Sequence, residues 1–362
     1  MSRIHLADLR KGHIGRRVAL ALGAVAFAVA PIFVGSNVTT MGILTEAVIY
    51  SLVVVSLNLL VGFGGLVSIG QAGFLAIGAY AAGYSANHLH LALPIELLLA
   101  GALAGIVGFV LGLPSGRLTG HYLVIVTLGF GLVVPQIALQ ATDITNGFTG
   151  LTISNTQFGP IVMNSTTAMY YFSFVVVAIS IVLILSVLSS RTGRAIMAMR
   201  DSEAAALAMG IPVARTKVVL FVLSAFFCGI AGDLFAHFEG LVTPADFTLS
   251  LSLFFLAAVI VGGLGRVGGS ILGALVLVYV QTRSASIGVY SEFIIGAAVV
   301  VVLMLFPDGL AAIPAVLAQR LHLTRVAGEA LDPSSPGAGD AAAINDSSDA
   351  NEPDQGGANA GV

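Results

Sequence analysis

RTGRAIMAMRDSEAAALAMGIPVARTK, residues 191–217, is a polar stretch in a chain that is otherwise apolar from residue 18 to about residue 306. A third of the 15 basic residues lie in it: Arg191, Arg194, Arg200, Arg215 and Lys217. Charged side chains are costly in the hydrocarbon core of a bilayer. The stretch therefore separates two long apolar regions and is expected to lie in water itself.

The stretch contains the signals for one short helix with both ends marked. Asp201 or Ser202 is suited to cap its N-terminus, and Glu203 falls in the first turn. Gly210 is suited to the left-handed position after the helix, and Pro212 prevents its continuation. The residues between these signals, AAALAM, are apolar on every face. Because so short a helix is marginal alone in water, we expect a partner protein to cover it.

The composition of the 362 residues indicates an integral membrane protein. Hydrophobic residues make up 57% and charged residues 9%, with a mean hydropathy of +1.00. Soluble proteins average about 25% charged residues. The apolar runs are continuous, which predicts helices, and the 43 glycines suit helices that pack closely in lipid. The sequence therefore predicts an all-α polytopic membrane protein.

Windows of about 20 residues divide the apolar sequence into about ten predicted transmembrane helices. Their bounds are 18–34, 43–61, 72–87, 94–113, 121–140, 168–189, 217–237, 249–264, 270–284 and 286–306. If the N-terminus is cytoplasmic, every lysine and arginine except Arg283 falls on the cytoplasmic side. This distribution follows the positive-inside rule and predicts that both termini are cytoplasmic.

These spans divide the chain into three predicted regions. A basic cytoplasmic N-terminus covers 1–17, a transmembrane permease domain covers 18–306 with a cytoplasmic loop at 190–217, and an acidic tail covers 328–362. The tail is rich in Ala, Gly, Asp and Pro and has no aromatic residue, which predicts disorder.

A cleavable signal peptide is the alternative for the first span, since Ala28-Val29-Ala30 resembles a cleavage site. The apolar run from Val18 to Val34 is long for a signal peptide, and further spans follow at once. These features favour a retained first helix.

Two glycine-rich breaks between apolar segments resemble each other: VGFGGLVSIGQAGFLAIGAY (61–80) and VGGLGRVGGSILGALVLVY (261–279). The matching pairs are Val61/Val261, Gly62/Gly262, Gly65/Gly265, Val67/Val267, Gly73/Gly273 and Leu75/Leu275. An internal duplication and a coincidence in a chain rich in Gly and Val both explain the match. Either way, both breaks are predicted to be tight, flexible connections on the cytoplasmic side, since transporters place irregular backbone at such points.

Polar side chains inside the predicted spans are mostly neutral. Asn58, Ser68 and Gln71 flank the first break, and together with Thr127 they are the candidates for lining a substrate pathway. Hydrogen bonding between helices is the alternative for each of them.

The sequence lacks the residues of a nucleotide-binding or catalytic site. It has no GxxxxGK[ST] loop, and its only lysines are Lys11 and Lys217. It has a single cysteine, Cys228, and no His or Cys spacing of a metal site, so neither a metal nor another cofactor is expected. The acidic residues near outer span ends are expected to be solvated at the interface, with a functional role inside the membrane as the alternative: Glu46, Asp233, Glu239 and Glu292. The chain is not expected to be an enzyme, so any energy from ATP has to come through another chain.

Four stretches carry a family resemblance: SLNLLVGFGGLVSIGQAGFLAIGAYAAG (56–83), GRLTGHYLVIVTLGFG (116–131), GRAIMAMRDSEAAALAMGIPVARTK (193–217) and VIVGGLGRVGGSILGA (259–274). They resemble the permease subunits of ABC importers for branched-chain amino acids, the LivM type in particular, co-linearly over about residues 45–305. The resemblance implies a permease of the bacterial cytoplasmic membrane that translocates leucine, isoleucine and valine. Relatives that move urea or short amides are the alternative within the family, and Thr127-Leu128 is similar to the amino-acid type.

The resemblance also implies partners. These are a second, related permease, two cytoplasmic ABC ATPase subunits that bind ATP and Mg²⁺, and an extracytoplasmic substrate-binding protein, all assembled on the lipid bilayer with no nucleic acid. In such importers a cytoplasmic EAA-type helix docks into the ATPase. The implied ATPase-coupling residues here are Arg200, Asp201, Glu203, Ala204, Ala205 and Gly210. Because the spacing from EAA to Gly is one residue longer than the general importer pattern, only the docking role is implied, not individual contacts.

Two other classes stay open on the sequence alone. An ion-coupled secondary transporter needs an ionisable or carbonyl site near the midplane, and no Asp, Glu or His falls clearly there. A non-transporting scaffold predicts that no flux depends on residues 201–210.

Overall fold

The structure is a computed structural model that describes residues 38–89, 91–116, 121–153, 157–158, 161–162, 166–285, 296–297, 304 and 309–310. The predicted N-terminus 1–17, first span 18–34 and tail 328–362 lie outside these residues, as does most of the predicted last span, 286–306. The division of the sequence into three regions therefore stays a prediction.

Helices make up most of the described chain. In order they are α1 (Val38–Asn58), α2 (Gln71–Tyr84), α3 (Leu93–Ser115), α4 (His121–Gln140), α5 (Thr142–Thr145), α6 (Thr166–Ser189), α7 (Arg191–Asp201), α8 (Glu203–Ala208), α9 (Val213–Glu239), α10 (Leu249–Gly262) and α11 (Val267–Ala285). Single π-helical turns extend α1 and α2, at Leu59–Phe63 and Ser85–Leu89, and 3₁₀ turns lie at Gly147–Thr149 and Pro244–Asp246. Two-residue strands form two antiparallel pairs, β1 (Leu151–Thr152) with β4 (Leu241–Val242), and β2 (Gln157–Phe158) with β3 (Ile161–Val162).

Seven of the described helical segments are long and apolar enough to cross a bilayer. They are Val38–Phe63, Leu93–Ser115, Tyr122–Gln140, Thr166–Ser189, Val213–Glu239, Pro244–Gly262 and Val267–Ser284. Each corresponds to a predicted span, which confirms a mostly helical, polytopic membrane protein over this part of the chain. The predicted span at 72–87 is not among them. Its second part is the π-helical turn Ser85–Leu89, which carries the polar residues Asn87 and His88. The α-helical part, α2, has 14 residues. At roughly 1.5 Å per residue it covers only about two thirds of the hydrocarbon core.

Two helices form the centre of the bundle. In the most apolar 18-residue window of α1 and of α9, 83% and 72% of the residues are buried, against 22–44% in the other five spans. The short helix α2 packs against α9 and is buried over most of its length. The exposed side chains of α3, α4 and α6 include many large apolar residues, as expected for helices that contact lipid.

Small residues bring α3 and α9 close together. A Cβ placed on Gly229 of α9 would lie 2.6 Å from both the Ala100 carbonyl oxygen and the Ala104 Cβ of α3. One turn further along α3, a Cβ on Gly108 would lie 2.5 Å from the Ala225 Cβ. Such packing of small residues is typical of helix pairs in membranes, where close backbone approach replaces hydrophobic burial.

Contacts between chain segments define two ends of the bundle. At one end, Asn58 of α1 accepts a hydrogen bond from Gly265, and Gly116 lies against Ala214 at the start of α9. The helices α7 and α8 lie at this end, which we call the basic end because 191–217 supplies its arginines. At the other end, the far end, β1 pairs with β4, and Asn87 Nδ2 donates to the Thr152 carbonyl oxygen at 3.0 Å.

The polar stretch folds into two helices where the sequence predicted one. The additional helix, α7, is capped by Ser190, whose Oγ accepts from the amides of Thr192 and Gly193 at 3.2 and 3.4 Å. Its buried residues are spaced by three and its arginines lie on the exposed side. The buried residues are Gly193, Ile196 and Met199. This spacing and the serine cap were present in the sequence, but the arginines made the segment resemble a polar loop.

Candidate functional site

The helix α8 has the ends that the sequence predicted. Ser202, not Asp201, is its N-cap, and its Oγ accepts from the Ala205 amide at 3.2 Å. Asp201 instead ends α7 and is exposed. Gly210 has a φ of +79°, a conformation that favours glycine, and Pro212 directly precedes α9. Residues of the local sequence therefore determine where α8 begins and where it ends.

Most of α8 is uncovered. Ala206 is the one buried residue of this helix, and it faces the bundle. The residues around it are exposed and apolar, and Met209 keeps 82% of its surface. They are Ala204, Ala205, Leu207, Ala208 and Met209. This apolar surface at the basic end, which we call the α8 face, is the surface that the sequence predicted to need a partner.

A buried lysine holds α8 against the bundle. Lys217 Nζ lies 2.8 Å from Glu203 Oε1, and the lysine side chain is only 1% exposed whereas the glutamate is 43% exposed. A buried ammonium group needs a partner, and Glu203 is the carboxylate that supplies it. Glu203 therefore anchors α8 to α9 in this structure. The pairing was not predicted, although Lys217 stands out as one of two lysines at the start of an apolar helix.

The two glycine breaks contact each other through Asn58. Asn58 Oδ1 accepts from the Gly265 amide at 3.0 Å, and Nδ2 donates to Ser270 Oγ at 2.7 Å and to the Arg266 carbonyl oxygen at 3.2 Å. A Cβ placed on Gly62 would overlap the Gly265 amide nitrogen, so glycine permits the close approach. The two breaks therefore meet in the structure, where Asn58 joins them, and their cytoplasmic location stays a prediction.

The first break is longer than predicted and leads into the interior of the bundle. After the π-helical turn, residues 64–70 form no helix, and α2 then begins at Gln71. Gln71 Nε2 donates to Ser56 Oγ at 2.7 Å and lies 3.4 Å from Ser224 Oγ, near the middle of α9. The short helix α2 therefore starts deep among the spans, not at their end. The expectation of a tight connection was wrong for this break and is confirmed for 263–266.

Side chains from other helices satisfy the backbone of this break. Thr127 Oγ1 accepts from the Ile69 amide at 3.2 Å, and Ser252 Oγ accepts from the Ala72 amide at 3.1 Å. The four residues predicted to line a pathway all surround this region, and each is at most 1% exposed. Ser68 Oγ and Gln71 Oε1 have no hydrogen-bond partner among the described residues. In this conformation the four side chains lie in the packed interior between helices.

Arg200 links α7 to both breaks. A Cβ placed on Gly65 would lie 3.3 Å from Arg200 Cγ, and one placed on Gly265 would lie 3.0 Å from Arg200 Nη1. Both glycines have left-handed φ values, +69° and +73°. The last turn of α7, directly before α8, therefore lies against the point where the two breaks meet.

A cavity of about 430 Å³ lies toward the far end, between α4 and the segment that leads into α10. Its lining is mostly apolar, with Gln136, Thr243 and Thr248 as the polar side chains. No charged side chain is among the described residues that line it. The sequence carries no local signal for this cavity, since its walls come from segments about 110 residues apart.

Comparison with known proteins identifies related sequences over most of the chain. The family model described as branched-chain amino acid transport system / permease component matches residues 39–303. The high-affinity branched-chain amino acid transport system permease protein LivM of Escherichia coli (strain K12) is 34% identical over 319 residues, covering 81% of this chain and 73% of that protein. Its counterpart in Salmonella typhimurium is 35% identical over 295 residues, covering 75% and 69%.

A more distant match extends the comparison. The probable branched-chain amino acid transport permease protein LivH of Methanocaldococcus jannaschii is 26% identical over 193 residues, which is 52% of this chain and 60% of that protein. No solved structure matches the chain.

Proposed function

The chain belongs to the family of permease components of branched-chain amino acid transport systems, and on that premise we propose that it is the membrane-spanning permease subunit of an ATP-driven ABC importer. It translocates branched-chain amino acids. The relatives are named for that transport, and the seven apolar spans suit a multi-pass permease. ATP hydrolysis is assigned to partner chains, so this subunit is not an enzyme.

The observation that carries the coupling proposal is the uncovered α8 face. An apolar helix surface is unfavourable in water, and a soluble partner with a hydrophobic groove would bury it. We assign that groove to a cytoplasmic ATPase subunit. The basic end is then cytoplasmic, which agrees with the distribution of lysine and arginine, and the membrane is the bacterial cytoplasmic membrane.

The contacts suggest how movement of the docked α8 reaches the spans. One route runs through the ion pair of Glu203 with Lys217 into the central helix α9. The other runs through Arg200 to the two glycine breaks, which Asn58 holds together. The breaks lead into α2 and α11, so both helices would shift when α7 and α8 move.

The far-end cavity is the proposed entrance for substrate. Its apolar lining suits the side chain of leucine, isoleucine or valine, and its three neutral polar side chains offer hydrogen bonds to the polar end of the molecule. Because no charged group lines it among the described residues, we assign selection to an extracytoplasmic binding protein that delivers the substrate. A second, related permease and two ATPase subunits complete the proposed assembly.

The test is reconstitution of this chain in proteoliposomes with its partner permease, ATPases and binding protein, followed by ATP-driven uptake of labelled leucine. Met209→Asp places a charge in the α8 face. We expect co-purification of the ATPase to fall by roughly tenfold or more, as for a central interface residue, and uptake to fall with it. Phe148→Asp is the matched control for ATPase binding alone, since Phe148 is 83% exposed but lines the cavity at the far end. It should leave ATPase co-purification unchanged.

Three results would contradict the proposal. One is full ATPase binding and uptake by Met209→Asp. Another is leucine uptake by this chain alone under an ion gradient without ATP, which would favour a secondary transporter. The third is competition by urea or acetamide but not by isoleucine and valine, which would assign the chain to the amide-transporting relatives.

A further inference from the structure

Three ionisable side chains with no part in the proposed coupling route lie together toward the far end. Glu96 is in the first turn of α3, and Asp233 and His237 lie one turn apart near the end of α9. His237 Nε2 is 3.3 Å from Glu96 Oε2, and His237 Nδ1 is 3.3 Å from Asp233 Oδ1 and 3.0 Å from the Asp233 carbonyl oxygen. One ligand atom from each residue lies within 4.8 Å of the other two.

All three side chains are buried. Asp233 is 0% exposed, Glu96 4% and His237 9%, and Asp233 Oδ2 has no hydrogen-bond partner among the described residues. The expectation that Asp233 is a solvated interfacial residue was therefore wrong, whereas Glu239 is exposed as expected. Burying a carboxylate without compensation is strongly unfavourable, so this cluster needs positive charge.

The charge balance indicates what kind of group supplies it. A protonated His237 would balance only one of the two carboxylates. A divalent cation would balance both and would leave the imidazole neutral, the form in which histidine binds metals. We infer that Glu96, Asp233 and His237 form a binding site for a divalent transition-metal ion of the zinc class.

The donor types agree with such an ion. Zn²⁺ bound tetrahedrally at about 2.0–2.1 Å holds neighbouring ligand atoms roughly 3.3 Å apart. His237 can bind the ion through one nitrogen, which lies 3.3 Å from one carboxylate oxygen. The ligand atoms of the three residues lie within 4.8 Å of one another, so the second carboxylate has to move toward the ion on binding. Imidazole with carboxylates suits zinc, whereas Ca²⁺ and Mg²⁺ prefer sets made of oxygen alone. Three protein ligands leave a fourth position for water.

The position of the cluster indicates a structural role. It joins the first turn of α3 to the last turns of α9, two helices whose other contacts include small residues in close approach. The cavity lies elsewhere, against α4 and the segment leading into α10. His237 lies two residues before α9 ends, so an ion would enter from the far end. The bound ion would fasten the far ends of α3 and α9 together without entering the substrate path.

The test uses the full chain purified in detergent, stripped with EDTA and dialysed. Zinc titration by calorimetry should give one ion per chain, and added Zn²⁺ should raise the melting temperature in a way that EDTA reverses. Glu96→Gln and His237→Gln should each bind zinc at least roughly tenfold more weakly. Glu239→Gln is the matched control, an exposed carboxylate at the same helix end, and should bind like the unmodified chain. None of these measurements requires transport, so their outcome is independent of the proposed function.

Several outcomes would overturn the inference. One is that the unmodified chain binds neither Zn²⁺ nor Mn²⁺, which would exclude the metal site even where a variant does not fold. Zinc could bind equally to the unmodified chain and to Glu96→Gln. A melting temperature that depends on pH but not on zinc would mean that a shared proton, and not a metal ion, stabilises the cluster.

Discussion

The two glycine breaks begin with the same residues and continue differently. Gly65 and Gly265 occupy equivalent positions and have nearly the same left-handed φ, +69° and +73°. After Gly265, α11 begins two residues later at Val267. After Gly65, five residues pass without helix before α2 begins at Gln71. One break is a turn between two full spans, and the other leads into the shorter helix α2 inside the bundle.

The difference shows that the glycine pattern determines the turn, while residues elsewhere in the chain determine the structure after the turn. At the first break, Thr127 accepts a hydrogen bond from the Ile69 amide, and Ser252 accepts one from the Ala72 amide in the first turn of α2. Irregular backbone at membrane depth persists only where such partners exist. In the second break the Gly265 amide is satisfied by Asn58, which belongs to the helix before the first break. The two breaks therefore form one unit joined by a single amide side chain.

Removing that side chain should have the largest effect on stability. Asn58→Leu loses three hydrogen bonds and leaves the Gly265 amide without its acceptor, so we expect a loss of about 3 kcal/mol in the free energy of unfolding. Denaturant unfolding in detergent micelles measures it. Asn87→Leu is the control, since Asn87 donates one exposed hydrogen bond at the far end. Equal losses in both variants would refute the view that Asn58 joins the breaks.

A second pair of substitutions compares the residues that come after each break. A Cβ on Gly273 would overlap the Ala258 carbonyl oxygen, which is backbone and unable to yield. A Cβ on the equivalent Gly73 would lie 2.7 Å from the Phe130 ring, a half-buried side chain that can rotate where backbone cannot. We expect Gly273→Ala to cost about 2–3 kcal/mol and Gly73→Ala about 1 kcal/mol in the same unfolding measurement. A larger loss for Gly73→Ala than for Gly273→Ala would mean that the two helices at Gly273 move apart more easily than the Phe130 ring shifts.

A smaller effect should separate the first break from the second. Thr127→Val removes the acceptor of the Ile69 amide, and we expect a loss of about 1–2 kcal/mol. Thr282→Val is the control, because Thr282 donates its hydrogen bond to the Val278 carbonyl oxygen within its own helix. If Thr127→Val were as stable as the control, the backbone of the first break would not depend on α4.

Local sequence was sufficient to predict the spans and α8. The seven spans follow from runs of apolar residues, and Ser202, Gly210 and Pro212 mark the ends of α8 as single residues. The amphipathic helix α7 could also have been predicted, because Ser190 and the spacing of Ile196 and Met199 were visible in the sequence.

Long-range contacts could not be predicted in the same way. Asn58 lies more than 200 residues from its partners, and nothing in a single sequence indicates which buried polar residue joins which break. The cluster of Glu96 with Asp233 and His237 was missed for the same reason, since its members lie on two helices. The polar residues near the first break were placed correctly at that break, but their position in the sequence did not distinguish a pathway from a structural network.

Movement of the docked α8 is proposed to reach the joined breaks through Arg200. The most direct measurement compares Arg200→Ala with Arg194→Ala in the reconstituted importer, since both arginines are exposed on α7 and only Arg200 lies against Gly65 and Gly265. We predict that Arg200→Ala retains bound, ATP-hydrolysing partner subunits while leucine uptake falls roughly tenfold, and that Arg194→Ala imports leucine normally. Wild-type uptake by Arg200→Ala would contradict this coupling route.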